Sequence, residues 1–170
     1  MFGRRRTKVL AATGAKAPQF RLSGLTGSLG LDTPERSLDD VLAQGPALLA
    51  FFKISCPVCQ LTAPYLERLS ANNARLQIIG ISQDDAGATR GFANRFGLTF
   101  PTLLDSSEDN YPASNAYGIT SVPTMFVIEP DGTISRSFAG FSKRDFEELG
   151  ERAGVAPFGP EDHVPEWKAG

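Results

Sequence analysis

The sequence predicts a mixed α/β sandwich, and three observations carry the prediction. Short apolar runs recur at 47–53, 76–82 and 124–128, each bounded by turn residues. Stretches with apolar residues at helical spacing lie between the first two runs and again after the second. Strands that alternate with helices imply a mostly parallel sheet covered on both faces. The third observation is Pro130-Asp131-Gly132, a turn between 124–128 and a returning strand at 133–139, which adds antiparallel pairing near the C-terminus. At 170 residues the chain is long enough for one domain with a proper core.

Each element has a local reason. Residues 1–16 are expected to form a flexible arm. Residues 19–31 alternate weakly around Gly24 and Gly27, as a short hairpin does. Ser37-Leu38-Asp39-Asp40 reads as a capping box that uses Asp, opening a short helix to about Gln44, and Gly45-Pro46 breaks it. Leu48-Leu49-Ala50-Phe51-Phe52 reads as a buried strand. The helix that follows runs to about Asn72, with Leu61, Tyr65, Leu66 and Leu69 on one side. Pro64 lies inside it and is expected to kink it. Leu76 to Ser82 is a second buried strand, and Asp84 or Asp85 caps a helix ending near Phe96. Thr102-Leu103-Leu104 is a short strand, and residues 111–117 are helical. Ser142, with Asp145 three residues on, caps a last helix to Ala153. The domain therefore spans 17–153. The Pro- and Gly-rich tail 154–170 is expected to wrap the surface. No repeat, low-complexity block or second core is visible.

The chemistry centres on Cys56-Pro57-Val58-Cys59, which holds both cysteines of the chain. The motif falls where a buried strand gives way to a helix. Unpaired backbone N–H groups and the positive end of the helix dipole favour a thiolate on the first sulfur there. The second cysteine is one helical turn on, close enough to close a disulfide. A structural zinc site needs about four ligands, and beyond the cysteines the chain offers only His163, far away in the tail. Haem attachment requires a histidine directly after the second cysteine, and that position is Gln60. Inert core cysteines are the remaining bland reading, and the helix-start position speaks against it. No metal and no cofactor are expected.

Composition excludes other classes. The net charge of −2 gives no footprint for nucleic acid or an anionic membrane surface. No stretch approaches the ~18 apolar residues of a membrane span. Arg4-Arg5-Arg6 and Lys8 precede residues 9–15, which are small or apolar but interrupted by Thr13 and Gly14. That run is too short and broken to read as an export signal. The expected location is the cytoplasm, where the pair rests reduced and its disulfide is transient; a removed leader would place the chain in the periplasm. A monomer is the expected state.

Further features converge with the cysteines. Pro64 sits five residues after the second one. Val122-Pro123-Thr124 opens a later strand, followed by the Asp131-Gly132 turn and Gly140, and Ala17-Pro18-Gln19-Phe20 precedes the hairpin. Together these resemble the thioredoxin-like superfamily, and more closely the TlpA/ResA-type redoxins, relatives of the alkyl hydroperoxide reductase/thiol-specific antioxidant group. The resemblance covers roughly residues 17–153. It implies a three-layer α/β/α sandwich with a mixed central sheet, an N-terminal β-hairpin and an inserted strand–helix unit, matched by residues 83–105. It also implies a cis bond at Val122–Pro123 lying against the cysteine pair. The backbone beside it, with Pro57, would dock an extended substrate segment.

The chain departs from the family pattern at three places. Ser55 stands where Trp usually precedes the first cysteine. Thr62 replaces a buried Glu three residues after the second, and Ala50 replaces a buried Asp six residues before the first. The usual proton acceptors for the second thiol are absent, so water, Thr62 or a nearby side chain must serve. Lys53 lies three residues before Cys56. An ammonium there would favour a thiolate, but a lysine snorkelling to solvent is the preferred reading. His163 is expected to be an exposed surface residue.

The leading function is thiol–disulfide exchange through Cys56 and Cys59, reducing protein or small-molecule disulfides and recycled by an external thiol reductant. The runner-up is a thiol peroxidase. Peroxiredoxins place the reactive cysteine after Pro-x-x-x-Thr-x-x. Counting back from Cys59, those positions hold Phe52 and Cys56. The third reading is a binding module that senses redox state.

Overall fold

Apolar runs with no polar alternation become central strands because both of their faces are covered. In the computed structural model, which describes residues 8–26 and 31–170, this is the fate of β3 (Ala47–Phe52), β4 (Gln77–Ser82) and β6 (Thr124–Ile128), every residue of which is buried. They join β1 (Arg21–Thr26), β2 (Leu31–Ser37), β5 (Thr102–Leu104) and β7 (Ile134–Ala139). The resulting seven-stranded sheet has the order β2-β1-β5-β4-β3-β6-β7. β3, β4 and β5 run parallel, while β1, β2, β6 and β7 pair antiparallel to their neighbours. The sandwich with a mixed sheet is thus as expected. The hairpin's second strand runs further than expected, to Ser37, and its turn lies outside the described residues. A register shift leaves Pro34 and Glu35 opposite Ser23. An edge strand with a bulge is the setting that tolerates a proline.

The two faces carry two cores. Leu48, Ala50 and Phe52 of β3 meet α2 (Pro57–Leu69), α3 (Ala86–Phe96) and α5 (Lys143–Ala153), through residues such as Leu66, Phe92 and Phe146. Leu49 and Phe51 face α1 (Leu38–Leu42) and α4 (Pro112–Tyr117). There the Tyr117 ring lies 5.2 Å from Phe51 and 5.1 Å from Phe126. The caps follow the sequence signals. Ser37 and Asp40 form a full capping box, and the Ser142 hydroxyl accepts the Asp145 N–H at 3.2 Å. Asp85, not Asp84, caps α3, its carboxylate accepting the Ala88 N–H at 2.8 Å. α2 runs through Pro64 without a break.

Gly80, in the centre of β4, shows how tightly the first core is filled. A Cβ there would lie 2.8 Å from the Thr102 hydroxyl and 3.1 Å from the Phe52 and Phe100 rings. Gly80→Ala is expected to destabilise the domain by about 1–3 kcal/mol, the usual cost of overpacking. Urea unfolding measures it, and a change below about 0.5 kcal/mol would mean that the rings yield freely.

Both termini depart from expectation. Residues 8–16, expected as part of a flexible arm, lie hydrogen-bonded along the domain. Ala11 N–H donates to Tyr117 at 3.0 Å, Gly14 N–H to Ile134 at 2.8 Å, and Lys16 bridges to Thr133. Residues 1–7 lie outside the described residues. The tail does wrap the surface, crossing α2, where the Arg68–Asp162 ion pair closes at 2.5 Å. It then adds β9 (Trp167–Lys168) to β8 (Phe141–Ser142), a small second sheet absent from the sequence reading. No helix among the described residues is long and apolar enough to cross a membrane.

Candidate active site

Residues 53–56 turn the chain from the C-terminal end of β3 into α2. The Cys56 N–H donates to the Lys53 carbonyl at 3.2 Å, which closes the turn. Two side chains hold the loop at Ile54. The Asp84 carboxylate accepts its N–H at 2.8 Å, and the Gln60 amide donates to its carbonyl at 3.0 Å. Cys56 is then the N-cap of α2, with Pro57 in the first turn, where a missing N–H costs nothing. The Cys56 sulfur accepts the Cys59 N–H at 3.2 Å. A sulfur in that place fills the role that an oxygen of Ser or Asp plays in most helices.

The two thiols differ in environment. Both are free; Cys56 is half-buried, whereas Cys59 is 1% exposed among the apolar residues under α2. Burial pushes the Cys59 thiol well above its ordinary value. Its hydrogen bond with Cys56 and the negative charge of Asp84 add to the shift, and the Lys53 backbone opposes it. Cys59 is therefore a protonated, sheltered thiol beside an accessible one.

The Val122–Pro123 bond is cis. It comes from the far side of the sheet, where the loop after α4 enters β6, and it reaches the cysteines. The Cys56 thiol donates to the Val122 carbonyl at 3.3 Å. Beside Val122 opens a polar cavity of about 350 Å³, lined by Lys53, Gln83, Tyr111, Asn115 and Ser121 among others.

The structure thus brings together Cys56, Cys59, Val122 and Pro123, with exposed Pro57 at the start of the helix. Lys53 contributes its backbone to the cysteine turn, and its exposed side chain lines the cavity. Thr62 is buried, and its hydroxyl donates to the Cys59 carbonyl at 2.9 Å rather than to a sulfur. The hydroxyl proton of the proton acceptor that the sequence offers is thus engaged away from the sulfurs. His163 is exposed in the tail. Asp84, which the sequence offers only as a helix cap, leaves that role to Asp85 and holds the cysteine turn instead. Two adjacent acids after a buried strand were the available signal. Among the described residues no cluster of three or more His, Cys, Asp or Glu side chains could hold a metal ion.

Comparison with known proteins agrees with this fold and with thiol–disulfide chemistry. The thiol–disulfide oxidoreductase ResA of Geobacillus thermodenitrificans is 30% identical over 146 residues, which cover 83% of this chain and 78% of that protein. A Chlorobium tepidum protein described as a putative thiol:disulfide interchange protein DsbE superposes with a TM-score of 0.67 at 24% identity, covering 85% of this chain and 96% of the other. A secreted Mycobacterium tuberculosis disulfide oxidoreductase homologous to Escherichia coli DsbE gives a TM-score of 0.58 at 26% identity, covering 79% and 94%. The model of the AhpC/TSA family matches residues 13–137. With most of its length matched by that model, this chain is a member of the AhpC/TSA family.

Proposed function

We propose that this thiol–disulfide oxidoreductase works as a reductase, with Cys56 as the attacking and Cys59 as the resolving thiol. The observation that carries the assignment is the asymmetry of the pair. Cys56 is reachable at the helix N-terminus and touches the Val122 carbonyl, while Cys59 is buried and held protonated. The Cys56 thiolate attacks one sulfur of a substrate disulfide. A Cys56–substrate bond forms, the substrate S–S bond breaks, and the departing thiolate takes up a proton. Cys59 then gives up its proton and attacks the Cys56 sulfur. The Cys56–Cys59 bond forms as the second substrate thiolate leaves. The substrate gains two electrons and the enzyme is left as a disulfide, which an external thiol reductant returns to the dithiol. The reducing direction fits a reducing compartment such as the cytoplasm. The buried position of Cys59 shelters that thiol from direct attack by oxidants.

Turnover assays separate this reading from its rivals. With dithiothreitol as reductant, the protein is expected to accelerate reduction of a small disulfide or of insulin well above the uncatalysed rate. Hydrogen peroxide consumption under the same conditions is expected to stay near background, because Cys59, the position that echoes a peroxidatic cysteine, is buried. Rapid peroxide turnover without disulfide turnover would make the protein a peroxidase instead.

A further inference from the structure

The tail does not simply cover the domain; at Gly170 it lies against the docking edge. Gly170 approaches the Val122–Pro123 peptide so closely that a Cβ built on it would lie 1.9 Å from the Val122 carbonyl oxygen and 3.1 Å from the Pro123 nitrogen. This is the same carbonyl that accepts the Cys56 thiol. Just before, a Cβ on Gly140 would lie 2.4 Å from the Lys168 carbonyl oxygen, while the Gly140 N–H donates to the Pro123 carbonyl at 2.8 Å. Glycines at both places let backbone lie on backbone. The tail is held there by β8–β9 pairing, by the Lys143 N–H on the Glu166 carbonyl at 3.0 Å, and by Arg68 on Asp162.

Stability of the core does not explain residues 166–170. Val164 is the last tail residue packed against the core; residues 166–170 are exposed, and Trp167 is 62% exposed. What this segment buries is the backbone surface beside Cys56. An extended peptide binds such an edge by adding a strand. A covalently attached strand competes at a high effective concentration even when its own pairing is weak.

We propose that residues 166–170 take the strand position that an extended protein substrate would occupy beside Cys56, so that the chain's own tail gates the docking edge and biases the enzyme toward small disulfides. The proposal rests on the oxidoreductase reading of the cysteine pair. A small disulfide needs only the Cys56 sulfur, whereas a protein segment needs the strand position as well.

A chain ending at Pro165 tests it, because that chain keeps Arg68–Asp162 and Val164. Labelling of Cys56 by an extended peptide that carries an iodoacetyl group, and insulin reduction, are each expected to rise about tenfold, equivalent to about 1.4 kcal/mol of tail closure. Turnover of a small aromatic disulfide is expected to change less than about twofold, because it makes no use of the gated strand. A full-length Trp167→Pro/Lys168→Pro variant, which removes the β9 N–H groups, is expected to behave like the truncated chain and answers the question if truncation disturbs the fold. Equal labelling and equal insulin turnover in a folded variant would overturn the proposal. So would slower insulin turnover, which would make the tail part of the productive site. Faster labelling with no turnover of any disulfide in either form would support the gate and remove the oxidoreductase reading instead.

Discussion

Replacing both cysteines by serine is expected to abolish disulfide reduction and to leave the domain folded. At Cys56 the change is mild for structure. Serine is a good N-cap, and its hydroxyl can accept the Cys59-position N–H that the sulfur now accepts. At Cys59 a hydroxyl enters an apolar site that is 1% exposed. An unpaired buried hydroxyl costs about 1–3 kcal/mol, which lowers Tm by about 2–4 °C per kcal/mol for a chain of this size. The oxidised bridge would close a loop with only two residues between the cysteines, and so adds little by restricting the unfolded chain. Activity is different, because no other cysteine exists to form the mixed disulfide. The single variants divide the roles. Cys56→Ser is expected to be as inactive as the double variant. Cys59→Ser is expected to accumulate a Cys56-linked mixed disulfide with substrate, visible by non-reducing electrophoresis and mass spectrometry. In the wild type, iodoacetamide at neutral pH labels Cys56 before the sheltered Cys59. Since the folded Cys59 thiol titrates above its ordinary value, its thiolate is scarce at neutral pH. The resolving step is therefore expected to quicken as pH rises. A double variant that collapses would make the pair structural. A folded one with unchanged turnover would place the active site elsewhere.

How much of this was legible depends on the distance over which each residue acts. β3, β4 and β6 could be read because burial on both faces writes an unbroken apolar run into the sequence. The Ser37 and Ser142 caps could be read because their partners are three residues away. β2 was read short. Its residues from Asp32 to Arg36 are polar, as an edge strand's can be, and include a proline that periodicity counts against a strand. The cysteine pair was legible because a motif and a strand-to-helix boundary coincide. Its surroundings were not. Asp84 reaches Ile54 across 30 residues and Gly170 meets Val122 across about 50, and no local pattern encodes either contact. The two-residue strands β8 and β9 owe their existence to the path of the tail rather than to any propensity of Trp167 and Lys168.

The largest stability effect is expected at another residue of that long-range kind. In sequence Asp105 marks only the end of the inserted unit at 83–105. In the structure it is fully buried at the end of β5, with its N–H on the Ser82 carbonyl at 2.8 Å. One carboxylate oxygen accepts the Ala113 N–H at 2.8 Å and the other accepts the Ser114 N–H at 2.7 Å. These are first-turn donors of α4. The local N-cap, Tyr111, sits in the left-handed region with φ 50° and makes no side-chain cap, while Pro112 has no N–H to satisfy. Asp105 therefore caps α4 from a neighbouring strand. Asp105→Ala leaves two buried donors without acceptors, each costing about 1–3 kcal/mol, offset in part because a carboxylate no longer has to be buried. A net loss of about 3 kcal/mol is expected, read as a fall in Tm of about 10 °C. Asp105→Asn keeps one acceptor but sets an NH2 group against the second N–H, and so is expected to recover less than half of the loss. Function should suffer through position rather than chemistry. α4 leads directly into the loop that carries Val122 and Pro123 to Cys56, so insulin turnover is expected to drop several-fold at temperatures where the variant is still folded, while Cys56 still labels. Urea unfolding beside the insulin assay decides the matter. A stability change below about 1 kcal/mol would mean that α4 satisfies its own N-terminus. An unchanged turnover would mean that the Val122 loop is held by β6 and the tail alone.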